Sequence, residues 1–160
     1  MPSFLENMRV WTVKESKDLY NIEKWGLGFF DINERGQVAV HPRGPDKPGI
    51  DLLDLVTELQ RREIQLPILI RFTDILRSRV EQLNEAFRRT ISEYGYRNRY
   101  AGVYPIKVNQ HRPVVEEILR FGLPYDFGLE AGSKSELMAV IALVNNPNQL
   151  IICNGYKDAE

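Results

Sequence analysis

Between Pro67 and Asn154 short apolar runs alternate with stretches of helical period, and this alternation constrains the fold more than any other feature of the chain. The apolar runs are Pro67–Phe72, Val103–Val108, Tyr125–Glu130 and Leu150–Asn154. Between the first two, apolar side chains recur at Leu76, Val80, Leu83, Phe87, Ile91 and Tyr94. That spacing predicts a helix over Asp74–Tyr94, with Gly95 as its stop. Pro113 opens a second helix through Phe121, with Val114, Val115, Ile118 and Leu119 on its apolar face and Gly122 closing it. Ser133 and Glu136 have capping-box spacing and start a third, with Leu137, Val140, Ile141 and Val144 facing the core. Asn145-Asn146-Pro147-Asn148 ends that helix. A strand followed by a helix, three times over, implies an α/β fold with a parallel sheet; right-handed crossovers put the helices on one side if the sheet curls into a barrel. A complete (β/α)₈ barrel takes ~250 residues, so a chain of 160 is expected to hold only its first part.

The upstream sequence reads differently. Ser16 to Trp25 fits a short helix capped by Ser16. Phe29, Phe30 and Ile32, then Asn33-Glu34-Arg35-Gly36 and the alternating Val38-Ala39-Val40, read as a β-hairpin with glycine in its turn. The segment His41–Gly49 is rich in proline and glycine and is the expected boundary between an N-terminal segment, 1–49, and the β/α units of 50–160. His41 reads there as a surface residue. Asp51 can cap a helix to about Arg62 with Leu52, Leu55, Val56 and Leu59 on one face.

Composition narrows the function classes. With 21 basic and 22 acidic residues and a net charge of -1, nothing argues for a nucleic-acid or membrane partner. No apolar run approaches the ~20 residues of a bilayer span, and Met1–Glu15 has no apolar core like that of a signal peptide, so a cytoplasmic protein is expected. The single cysteine, Cys153, leaves neither an internal disulfide nor a cysteine cluster for a metal. Flanked by Ile151 and Ile152, it reads as a buried, inert thiol.

One lysine stands inside an apolar run: Tyr104-Pro105-Ile106-Lys107-Val108-Asn109. In a strand, Val103, Pro105 and Lys107 share one face while Tyr104, Ile106 and Val108 share the other. The alternation therefore expects Lys107 inside a curved sheet, with Tyr104 and Ile106 toward the helices. Burying an ammonium is costly, and a neutral amine is the nucleophile that forms Schiff bases with carbonyl compounds. The competing reading is a plain α/β domain with an edge strand whose lysine reaches solvent, and Pro105 suits an edge. Lys107, Glu130 and Asn154 all close strands, and in parallel α/β folds ligands bind at those carboxyl ends. Glu130 could accept a hydrogen bond from the lysine or move protons; an ion pair or a helix-terminal charge is its other reading. Asn154, before Gly155, reads as a turn residue. His111 starts the loop before Pro113.

The lysine segment resembles the pyridoxal-phosphate attachment site of the alanine-racemase-like decarboxylases that act on ornithine, arginine and diaminopimelate. Trp25–Asn33, Arg71–Leu76, Gly128–Leu137 and Ile151–Asp158 resemble, in order, blocks of the biosynthetic arginine decarboxylases of bacteria and plants, so the likeness runs over nearly the whole chain. It implies the N-terminal part of a pyridoxal-phosphate-binding (β/α)₈ barrel of fold type III, preceded by the β-hairpin element. It also implies Lys107 as the covalent anchor of pyridoxal 5'-phosphate and Glu130 as an acidic residue near that cofactor. The implied reaction converts L-arginine to agmatine and carbon dioxide in polyamine biosynthesis, in a cytoplasmic homo-oligomer described as using magnesium, for which no ligand can be named here. The phosphate cup, the partner of the pyridine nitrogen, the ring-stacking histidine and the substrate-reading groups of such enzymes would follow residue 160. The chain is thus expected to be inactive alone. A pyridoxal-phosphate carrier or racemase-like protein of the same fold, or a decarboxylase of another basic amino acid, is the alternative; the carrier would lack the block Gly26–Pro42.

Overall fold

The computed structural model describes residues 10–158; residues 1–9, part of the stretch read above for a leader, lie outside them, as do 159 and 160. The chain divides into two compact units between Phe72 and Thr73.

The first unit is built from local signals. Helix α1 (Val13–Tyr20) begins at Thr12, where the Thr12 hydroxyl accepts from Glu15 N–H and the Glu15 carboxylate accepts from Thr12 N–H. The cap therefore lies four residues before the expected Ser16, because Thr12 and Glu15 have capping-box spacing. Ser16 stands within the helix and accepts a hydrogen bond from the Trp11 indole at 2.7 Å. Asn21, with φ of 51°, ends α1 and leads into α2 (Ile22–Gly26). Strands β1 (Phe30–Ile32) and β2 (Val38–Val40) form the expected antiparallel hairpin, Phe30 opposite Val40. The Asn33 side-chain oxygen accepts from the Arg35 and Gln37 N–H groups, and Gly36 takes φ of 76°, which suits a residue without a β-carbon. Strand β3 (Ile50–Asp51) pairs with β2, and α3 (Leu52–Arg61) starts on Asp51, whose carboxylate accepts from Leu53 and Asp54 N–H. The loop 41–49 thus lies within this unit, because β3 returns to β2. Ile22, Phe29, Ile32, Ala39 and Val40 are buried.

Pro67–Phe72 does not form the expected strand. A strand needs a ladder partner, none is present among the described residues, and Pro67 has no N–H to donate. Pro67, Ile68, Ile70 and Phe72 instead line a cleft with Phe30, Leu52 and Val56.

The second unit carries the parallel sheet. Helix α4 (Thr73–Glu93) is followed by β4 (Val103–Pro105), α5 (Arg112–Gly122), β5 (Gly128–Ala131), α6 (Lys134–Leu143) and β6 (Ile151–Cys153). The three strands are parallel in the order β4-β5-β6, with Pro105 opposite Glu130 and Ala131 opposite Cys153. Two strand–helix units and a third strand therefore form where three units were expected. Strand β5 is central and buried throughout. Ile106, Val115, Leu119, Leu129, Ala131 and Val140 make one core cluster, and Val80, Val114, Ile118, Phe121 and Phe127 a second; Tyr104 packs against both. Burying each such large aliphatic side chain contributes about 1.5–3 kcal/mol.

Several expectations are corrected in this unit. Tyr125 belongs to a short 3₁₀ turn, Leu123–Tyr125, and the strand starts only at Gly128. Ile141 is 55% exposed, because α6 turns Val140 to the sheet and Ile141 stands about 100° round from it. Leu83 and Phe87 are likewise exposed on α4, where Val80 and Asn84 are the buried positions, and Tyr94 is exposed in the turn just after it. On the same helix the Arg77 and Arg88 guanidinium groups lie over the Phe121 and Tyr125 rings. Cys153 is exposed rather than buried, because β6 pairs on one side only.

Candidate functional site

The carboxyl ends of β4, β5 and β6 gather the residues singled out in the sequence. β4 ends at Pro105, and the chain then makes a 3₁₀ turn over Ile106–Val108, so Lys107 leaves the sheet instead of continuing its alternation. Tyr104 and Ile106 face the helix-side core as expected, but Lys107 is exposed at the mouth. The reason is local: the strand stops at a proline, and Ile106, 4% exposed, is held in the core and turns the next residue outward.

That turn is fastened on three sides. Ile106 anchors it below. The Tyr104 hydroxyl donates to the Asn109 carbonyl at 3.3 Å, and burial pushes the Tyr104 hydroxyl pKa up. The Gln110 amide donates to Glu136 Oε1 at 3.2 Å, while Glu136 Oε2 accepts from Gly132 N–H at 2.7 Å. Glu136 therefore ties the loop after Lys107 to the turn between β5 and α6. This is half of the expected capping box: Ser133 accepts from Glu136 N–H, but the carboxylate reaches Gly132, one residue before the cap. A cleft of ≈ 210 Å³ beside this link is lined by Ile106, Gln110, Val115, Ser133, Ser135 and Glu136, among others. Lys107 has no hydrogen-bond or ion-pair partner among the described residues.

Glu130 is only 5% exposed, one residue before the end of β5. A buried carboxylate needs a donor. Asn154 supplies one: its side-chain amide donates to Glu130 Oε1 at 2.9 Å, and its backbone N–H donates to the Ala131 carbonyl. Asn154 is thus more than the turn residue that its Gly155 neighbour suggests. The signal lay in the parallel register, which sets the residue after β6 beside the end of β5. Lys157 Nζ donates to the Ala131 and Asn154 carbonyls, and Lys134 pairs with Asp158. His111 takes the cap position of α5 without capping it through its ring, and it is exposed. No group of three histidine, cysteine, aspartate or glutamate side chains among the described residues could hold a metal ion.

A free amine at the end of one parallel strand, with a held, buried carboxylate on the next, suits covalent capture of a carbonyl compound. The chain as a whole is similar to known proteins. The chain is 52% identical over 153 residues to a biosynthetic arginine decarboxylase of Gloeobacter violaceus, a match that covers 96% of this chain and 24% of that one. A biosynthetic arginine decarboxylase of Thermosynechococcus vestitus is 51% identical over 92% of this chain and 23% of its own. The chain therefore spans about a quarter of the length of the curated relatives it matches. The crystal structure of the biosynthetic arginine decarboxylase of Campylobacter jejuni superposes with a TM-score of 0.76 at 34% identity, over 87% of this chain and 22% of that one. The fold is accordingly the mixed α/β arrangement with which a pyridoxal-binding (β/α)₈ barrel opens. Residues 80–160 match the model of the pyridoxal-dependent decarboxylase family's pyridoxal binding domain, and the chain belongs to that family.

Proposed function

We propose that this chain is the N-terminal part of an arginine decarboxylase that releases carbon dioxide from L-arginine to leave agmatine, a step of polyamine synthesis. In that reaction the bond between the α-carbon and the carboxylate breaks, and a proton takes the carboxylate's place. The observation that carries the reading is Lys107: an exposed, unpaired amine at the mouth of a parallel sheet, in a chain about half identical to biosynthetic arginine decarboxylases.

Lys107 would hold pyridoxal 5'-phosphate covalently, and when bound that cofactor supplies the electron sink for loss of carbon dioxide. The residues present fit it in two respects: the lysine has no partner among the described residues, and the neighbouring strand offers a held carboxylate, Glu130, whose role would be to hold or move a proton at Lys107 Nζ. The loop that carries Lys107 is kept in place by Tyr104 and Glu136, so the amine is presented by a fixed turn. Magnesium finds no such fit among the described residues, and no part of this reading depends on it. The hairpin β1–β2 favours a decarboxylase over a carrier of the same fold, in which that block is not expected. The domain boundary after residue 49, the cytoplasmic setting and the homo-oligomeric state rest on the sequence reading alone.

The test is made in the whole enzyme. Lys107→Ala and Lys107→Arg each remove the reactive amine, because alanine has none and the guanidinium stays protonated. Both variants should lose the cofactor adduct fixed by borohydride and at least about a thousandfold of agmatine formation, roughly what general catalytic groups supply. An adduct retained on another lysine would sink the assignment.

A further inference from the structure

We infer that Asn154 is a positioning residue of the site: it holds the Glu130 carboxylate in one orientation, so that the remaining oxygen is kept for the amine of Lys107. This rests on the reading of Lys107 and Glu130 just given. Three observations carry it. Glu130 is almost wholly buried, and the Asn154 amide is its one hydrogen-bond donor recorded among the described residues. Asn154 is itself fixed at both ends, its N–H on the Ala131 carbonyl and its own carbonyl accepting from Lys157 Nζ. Two carboxylates also converge on Gly132: a β-carbon there would lie 3.4 Å from Glu136 Oε2 and 3.9 Å from Glu130 Oε1. Glu136 is occupied by Gly132 N–H and Gln110, and Glu130 by Asn154, so each acid is turned to its own partner.

An amide at this position is chemically specific. Asparagine donates from its nitrogen, whereas aspartate of the same shape can only accept when ionised. Losing the donor frees the carboxylate to rotate and leaves one of its oxygens without a partner. Because the loss falls on the orientation of a catalytic group and not on substrate capture, it should appear in kcat with KM little changed.

The experiment uses the whole decarboxylase with pyridoxal 5'-phosphate and L-arginine. Asn154→Ala and Asn154→Asp should each lower kcat about tenfold, the scale of one hydrogen bond to a charged group, while the variant stays folded and borohydride still fixes the cofactor on Lys107. In a Glu130→Gln background, Asn154→Ala should add nothing further, since the ionised carboxylate that Asn154 would orient is already gone. Asn154→Ala effects that multiply with Glu130→Gln, or a kcat unchanged in both variants, would overturn the inference. So would loss of the Lys107 adduct in a folded Asn154 variant, which would make Asn154 a cofactor ligand. If the alanine variant unfolds, the isosteric aspartate variant decides alone, by its kcat. An adduct absent from Lys107 in the unmodified enzyme would instead defeat the underlying reading, and is distinguished by that control.

Discussion

The two sheets of this chain are held in register by different means. In the antiparallel sheet β1-β2-β3, register is set within a few residues: Asn33 accepts from the backbone of Arg35 and Gln37, and Asp51 closes β3 while capping α3. In the parallel sheet β4-β5-β6, no turn joins neighbouring strands, and a helix intervenes each time. Register there depends on β5, all of whose residues are buried and whose Gly128 lets the backbone of Leu150 come close. The first sheet is thus specified by turn chemistry, the second by packing. The candidate site lies on the packed one, as the need for three separate strand ends requires.

Overpacking the centre of the parallel sheet is expected to break this contrast most strongly. A β-carbon added at Gly128 would come 2.0 Å from the carbonyl oxygen of Leu150, the group that accepts from Leu129 N–H. Gly128→Ala should destabilise the second unit by about 3 kcal/mol, with protection of β4 and β6 amides lost in hydrogen exchange while the β1–β2 amides keep theirs. Equal loss in both sheets would show that the two do not owe their register to separate causes.

A smaller effect tests the local side of the comparison. Thr12→Ala removes the hydroxyl that receives Glu15 N–H and should cost about 1 kcal/mol. The matching Ser16→Ala should cost distinctly less, because Ser16 is not the cap; a reversal of that order, measured by denaturant unfolding, would restore the cap to Ser16.

The smallest expected effect is one of pH. Arg35, in the hairpin turn, makes two hydrogen bonds to the Asp54 carboxylate on α3, and these hold the Asp54 pKa below its ordinary value. A carboxyl with a lowered folded pKa contributes its stabilisation in full above the unfolded value of about 3.9 and loses it as pH falls through the lower folded one. Arg35 stays charged throughout. Both groups are exposed, so solvent screening keeps the contribution small. Asp54 should titrate below the exposed carboxylates when followed by NMR, and Arg35→Gln should return it to the ordinary range; an unmoved titration would remove the link between turn and helix.

Local sequence was enough to determine the hairpin, the start of α3 on Asp51, most of α4 and α5, and the parallel order implied by strand–helix repetition. Each of these depends on a period or a cap within a dozen residues. It also singled out Lys107, since a lysine within an apolar run stands out without any structure. The tertiary structure decided the rest. It moved Lys107 off the strand into a 3₁₀ turn, because Ile106 is captured by a core assembled from α5, β5 and α6. It left Pro67–Phe72 without a ladder and Cys153 exposed, because strand pairing and burial depend on partners distant in sequence. It joined Asn154 to Glu130 across 24 positions, a contact set by the register of two parallel strands. Side-chain type fixes what a residue can bond, but in a parallel sheet only the packing of the crossover helices fixes which residue it meets.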